Sequence, residues 1–411
     1  MKTNTIVILL IILISLPCMV SAQGLTHLST TYLGATAEAI AIYGGRAYIA
    51  LGESGIEAYD VLSPQNPEYL GAFDTPGYAA GLYIAYPFVH VADGDSGVTI
   101  IDYGNAENPL YVGSYGTPGY ANDLIVSCGI SFVADGDSGL HATLIINPEE
   151  PEFLESLQTP GYASRITGTC GGMYLADGNG GFHHYIADGL DLIHLSSLDD
   201  FGYINSVFGV SGYAYIADSV NGISIGDMGD PENIIILSHR QTPGNAVDIA
   251  IWDGFIYVAD GEMGISIIDV RDVYNPELAI NDNSIGYIKS LAVWNEYIYA
   301  ISGDSFHIFR FSPTGFSDEN SSPVDFELET SNYPNPFNAS TRILFSNLEP
   351  GIAEITIYNN SGQVVDNIFH HENKSSGGSV VWDASRFASG VYFYRLTSGD
   401  FSIVKPMSLI K

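Results

Sequence analysis

Basic residues are scarce in this chain: 13 Lys and Arg stand against 47 Asp and Glu in 411 residues, a formal charge of −34. That shortage excludes nucleic acid and anionic membrane as partners, since both need clustered cations to displace counterions. Charge of either sign is sparse too, at 15% of residues against about 25% in ordinary domains. The acidity therefore comes from missing bases, not from a solvating acidic tail. Cysteine is nearly absent, with three in all, which excludes a disulfide-dense miniature scaffold. No Gly-rich phosphate loop, nucleophile elbow or metal-spaced His cluster occurs, which argues against the common catalytic classes. What the chain does have is 46% hydrophobic residues, 27 Tyr and 45 Gly, the profile of a folded, turn-rich, all-β protein.

One apolar run stands out at the start. Lys2 precedes residues 6–16, apolar except for Ser15, and Val20-Ser21-Ala22 follows with the small residues a signal peptidase reads. Eleven residues are too few for the roughly 20 of a spanning helix. Leu16-Pro17-Cys18 lacks the small residues expected before a lipidated Cys. The reading is a signal peptide over 1–22, cleaved before Gln23, with no transmembrane segment in the mature chain.

The middle is periodic. Ala50, Ala92, Ala134, Ala176, Ala217, Ala259 and Ala300 end equivalent strands 41 or 42 residues apart. Each unit runs through an apolar stretch, the Ala strand, an Asp/Gly turn, a third strand and a fourth strand after an Asn-Pro loop. Four short strands per period predict a seven-bladed β-propeller over 23–311. The seventh unit lacks a fourth strand, and Thr31-Tyr32-Leu33-Gly34 matches Glu68-Tyr69-Leu70-Gly71. The N-terminal segment is therefore expected to complete the last blade and close the ring, leaving no open edge. Gly-Val-Thr-Ile-Ile-Asp at 97–102, Gly-Ile-Ser-Ile-Ile-Asp at 264–269, and the Asn108-Pro109 and Asn275-Pro276 loops make these units resemble the LVIVD repeat family of bacterial propellers. The fourth unit diverges most. The resemblance implies a surface or secreted propeller and no settled activity.

Strand parity places two sets of loops on one face. The Asp/Gly turns carry Asp93, Asp95, Asp135, Asp137, Asp177 and Asp260; the connections between blades carry Tyr78, Tyr120, Tyr162, Tyr203 and Tyr287. Asp and Gly suit tight hairpins, and Pro-Gly suits a type II turn, so local backbone chemistry accounts for both sets. The functional reading has the carboxylates hold Ca²⁺ or a basic partner and the Tyr rings stack on a carbohydrate or protein ligand. Calcium wants 6–8 oxygens, more than one such turn supplies. No catalytic residue is assigned. Residues 23–325 hold six Lys/Arg and 39 Asp/Glu, so a negative potential focused over the propeller is expected. Cys128 and Cys170 occupy equivalent positions in adjacent units. In an exported protein they could pair as a disulfide; the wide separation expected for equivalent positions in neighbouring blades favours unpaired thiols.

Residues 312–325 are polar, non-periodic and read as a linker. From 326 the strands alternate between Gly-containing turns, predicting a small Ig-like β-sandwich. Asn332-Tyr333-Pro334-Asn335-Pro336-Phe337-Asn338, Trp382-Asp383, Gly390-Val391-Tyr392-Phe393-Tyr394 and an ending from Lys405 to Lys411 resemble the C-terminal sorting domain of type IX secretion cargo. That resemblance implies contact of 326–411 with the type IX machinery, passage through the periplasm, and delivery to the cell surface or medium. The function expected is a non-catalytic binding or adhesion module; an extracellular polysaccharide hydrolase or lyase, or a structural surface-layer component, are the alternatives.

Overall fold

A computed structural model describes residues 24–199, 201–210, 212–312, 329–333, 339–346, 351–359, 363–373, 378–398 and 401–409. The signal peptide, most of the linker, the Pro334–Phe337 motif and Lys411 lie outside the described residues. Among the described residues every regular element is a strand, and none is a helix able to cross a membrane.

The chain divides into two compact units. In the first, the 42-residue period becomes seven four-stranded antiparallel sheets. Blade two is representative: Gly81–Ala85, Phe88–Ala92, Val98–Asp102 and Leu110–Tyr115 pair in sequence order. The third strand is buried on both faces, as at Val98, Ile100 and Ile101, because each blade is sandwiched between neighbours. A register shift falls between the third and fourth strands, at Ile100/Ile101 in blade two and Ile267/Ile268 in blade six. Such bulges add local twist, and they recur from blade to blade.

The seventh blade closes the ring as expected: Leu25–Tyr32 pairs with Ser305–Phe311, outside Tyr297–Ser302 and Ser290–Trp294. The register corrects the sequence reading. Thr31 stands opposite Phe306, the place that Phe73 takes opposite Ile56, so Thr31 corresponds to Phe73 and not to Glu68. The apparent match at Thr31–Gly34 falls at the end of the strand, where Leu33 N instead donates to Asp304 O at 2.7 Å.

Cys128 and Cys170 are joined, against expectation, by a disulfide with a Cα separation of 6.1 Å. Both lie at hairpins between first and second strands. First strands crowd the axis, so their ends approach much closer than equivalent points at the periphery, and the 42-residue period alone carries no such radius.

The C-terminal unit holds a three-stranded sheet and a four-stranded sheet. Ile343 and Trp382 from one, with Ile355, Tyr394, Leu396 and Met407 from the other, share one core. Tyr392 is buried, with its hydroxyl donating to Ala388 O at 2.8 Å, and Trp382 Nε1 donates to Asp366 at 3.0 Å. Gly390 and Lys405 are exposed at the surface of this unit.

Candidate functional site

The two loop sets meet on one face, but with different roles. The first Asp of each turn is turned inward. Asp93 is fully buried and accepts from Thr75 Oγ1 at 2.7 Å, Gly77 N at 3.0 Å and Thr99 Oγ1 at 3.0 Å. Asp177 and Asp260 repeat the arrangement with Thr159 and Gly161, and with Thr242 and Gly244. Asp135 takes Gly119 N at 2.8 Å. These carboxylates are buckles, each binding its own blade to the loop arriving from the preceding one. Asp95 and Asp137 point outward and are exposed. Among the described residues no three His, Cys, Asp or Glu side chains come together as metal ligands, so the six Asp are not gathered into a common oxygen cage.

In the first four blades a Gly at the start of this turn, after Leu51, Asp93, Asp135 and Asp177, carries the aromatic. Gly52, Gly94, Gly136 and Gly178 all have φ between 55° and 59°. A Cβ on them would lie 2.8, 2.9, 3.1 and 3.0 Å from the rings of Tyr78, Tyr120, Tyr162 and Tyr203. Glycine is required twice here, for the left-handed backbone and for the ring resting on it. The Tyr set is thus brought together as a rim around the axis. Tyr78 donates to Glu38 at 2.7 Å, and Glu38 also pairs with Lys289 from the last blade. Tyr162 donates to Asn122 at 3.2 Å, whose amide reaches Ala163 O at 3.0 Å. Tyr203 and Tyr287 are about two-fifths exposed. Burial pushes the hydroxyls of Tyr78, Tyr120, Tyr203 and Tyr287 up from their ordinary value, which keeps these four neutral phenols.

Beneath the rim lies a set of residues that sequence reasoning missed. The first strands begin with Ala39, Gly81, Asp123, Arg165, Ser206, Asp248 and Ser290. Arg165 of blade four reaches Asp248 of blade six at 2.8 Å and Ser290 of blade seven at 3.4 Å, which only a path through the central channel allows. Asp248 also accepts from Ser206 at 3.0 Å and Ser290 at 2.7 Å. Asp123 accepts from Ile166 N at 3.1 Å. Burial is the main influence on Asp123 and outweighs the nearby Arg165, raising its carboxyl to about 6. The signal was present in the repeat: one column reads Ala, Gly, Asp, Arg, Ser, Asp, Ser where the column that follows it is uniformly apolar.

Comparison with known proteins agrees with this architecture. The LVIVD repeat family matches residues 34–75, 76–117, 118–159, 202–241 and 243–281. The family described as secretion system C-terminal sorting domain matches 331–409. No curated protein matches the chain. Among solved structures, one of PorZ, described as an essential bacterial surface component of the type IX secretion system of Porphyromonas gingivalis, is similar at a TM-score of 0.51 and 16% identity; the match covers 90% of this chain and 59% of that one. The chain thus spans about three-fifths of the length of that neighbour. The WD40 propeller domain of Doa1 is similar at a TM-score of 0.55 and 11% identity, over 70% of this chain and 97% of that one. A chain of the mitotic checkpoint complex is similar at 0.57 and 12%, over 75% and 99%. These likenesses show the fold alone. Repeats, ring and tail together identify an LVIVD-repeat β-propeller protein carrying a type IX secretion sorting domain, exported to the cell surface or the extracellular space.

Proposed function

We propose that the propeller is a non-catalytic binding module whose ligand, a neutral glycan, docks on the Tyr-lined mouth of the channel. The observation that carries this reading is the rim itself. Five Tyr rings sit around one opening, four of them laid over glycines, with Glu38, Lys289 and Asn122 among them. Rings fixed on one side offer the other to a sugar face, and stacking there removes the remaining exposed aromatic surface from water. Neighbouring carboxylate, amide and ammonium groups supply the few directional bonds that orient a ligand in such a cleft. The axial carboxylates Asp123 and Asp248 both face the Arg165 guanidinium, an arrangement suited to closing the channel floor and not to activating water, which favours a binder over a hydrolase.

The test is oxidative footprinting of the full chain with cello-, xylo- and chito-oligosaccharides. Saturable protection of Tyr78, Tyr120 and Tyr162 relative to Tyr274, which is 63% exposed outside the rim, is the expected result. Equal oxidation of the rim with and without every sugar would sink the proposal.

A further inference from the structure

The seam between blades four and five breaks the repeat on the face opposite the Tyr rim. The LVIVD matches skip residues 160–201, which include all of blade four. Here a cavity of about 290 Å³ is lined by Gly171, Tyr174, His184, Gly209, Met228 and Pro231 among others. Strand pairing sets His184 opposite Tyr174. The corresponding third-strand position is Ile100 in blade two, Ala142 in blade three, Ile225 in blade five, Ile267 in blade six and Ile308 in blade seven. An imidazole therefore stands where every other blade so compared buries an aliphatic side chain.

Its surroundings fix its chemistry. His184 is 4% exposed, stacked on Tyr174 with ring centroids 5.0 Å apart and planes 28° from parallel. Nδ1 lies 3.2 Å from Pro231 O. A carbonyl can only accept, so Nδ1 carries the proton and Nε2 is left with a lone pair. Nε2 has no hydrogen-bond partner in the protein. Burial, the largest influence, lowers the ring's pKa and keeps it neutral. An orphaned buried acceptor destabilises a fold, and an Ile at this position would avoid it. Glycine makes the room: a Cβ at Gly209 would stand 2.0 Å from the Tyr174 ring, and one at Gly172 would stand 3.5 Å from Nε2 and 2.8 Å from the Tyr174 hydroxyl.

We propose that this cavity is a second binding site, which takes a small organic ammonium ion whose N–H group donates to Nε2 of His184. A lone pair calls for a donor, and the excess of 39 acids over six bases in residues 23–325 selects a cationic one. The site is independent of the Tyr rim and of its glycan.

The experiment is titration of the full chain with methylammonium chloride, followed by long-range ¹H–¹⁵N NMR of ¹⁵N-His-labelled protein. Ethylene glycol serves as a neutral donor and sodium chloride as an ionic-strength control. A saturable shift of the His184 Nε2 resonance with methylammonium alone is expected. His184→Ile should raise the melting temperature and weaken methylammonium binding at least about tenfold. Gly172→Ala, which keeps the imidazole, should also weaken it. No saturable shift, an equal shift with ethylene glycol, or undiminished binding by His184→Ile would each overturn the proposal, as would a lower melting temperature for that variant.

Discussion

Asp123 provides a sharp quantitative test, because its replacement should strengthen the protein. Its carboxyl is about 7% exposed and its pKa rises from an ordinary 3.8 to about 6, burial outweighing the attraction of Arg165. Between those two values the folded state holds a proton that the unfolded chain has lost. Stability therefore falls as pH rises through this window, and the cost is complete above about 6. At about 1.4 kcal/mol for each pH unit of the gap, ionised Asp123 costs the fold about 3 kcal/mol at neutral pH. Asp123→Asn removes that charge while its Oδ1 can still accept from Ile166 N. For a propeller of this size the gain corresponds to about 5 °C in melting temperature. Thermal unfolding of the full chain and the variant at pH 4, 5, 6 and 7, followed by near-ultraviolet circular dichroism, reads the effect. The two curves should converge near pH 4 and separate by pH 7, with Asp123→Asn the more stable. A variant that is less stable at pH 7, or a gap that does not change with pH, would refute the reasoning.

Other consequences follow from the same geometry. Asp93→Ala, which strands the donors of Thr75, Gly77 and Thr99, should cost about 3 kcal/mol, measured by urea unfolding. Gly94→Ala forces a residue with φ near 59° and a Cβ into the Tyr120 ring; about 1–2 kcal/mol of stability should be lost in the same assay, with a changed near-ultraviolet Tyr signal. Reducing the Cys128–Cys170 bridge opens a 42-residue loop and should lower stability by about 3–4 kcal/mol, seen as an earlier thermal transition in reductant. Because the turn carboxylates are engaged by neighbouring loops, millimolar Ca²⁺ should leave the melting temperature where EDTA leaves it; an upward shift specific to Ca²⁺ would restore the turns as metal sites.

The ring was legible in the sequence because repetition multiplies a weak signal. One Ala strand says little, whereas six at a fixed spacing, with turns at fixed offsets, specify four strands per unit; in the seventh the register puts Ile301, and not Ala300, at the equivalent position. Register was less legible. Thr31–Gly34 resembles Glu68–Gly71 in residue type, but the pairing of Thr31 with Phe306 follows the period and not that local likeness. The disulfide was misjudged because a one-dimensional period carries no radius, and equivalent residues lie close together only near the axis. Grouping of the Tyr residues on one face could be read from strand parity, yet their seating on glycines depends on how two distant loops meet. Asp123, Arg165 and Asp248 were overlooked for a related reason. They are unremarkable one at a time and become a cluster only when strands from blades three, four and six converge on one channel. Local turn chemistry explained Asp93 correctly as far as it went, but not its second task of holding Thr75 and Gly77 of the incoming loop.

Binding at the rim is the central claim, and a glycan array probed with two forms of the full chain addresses it most directly. Wild-type protein should retain a defined set of neutral glycans, while the Tyr78→Ala, Tyr120→Ala, Tyr162→Ala triple variant, shown by circular dichroism to be folded, should lose them by at least about tenfold. Undiminished retention by the folded triple variant would contradict the account and move the binding surface away from the channel mouth.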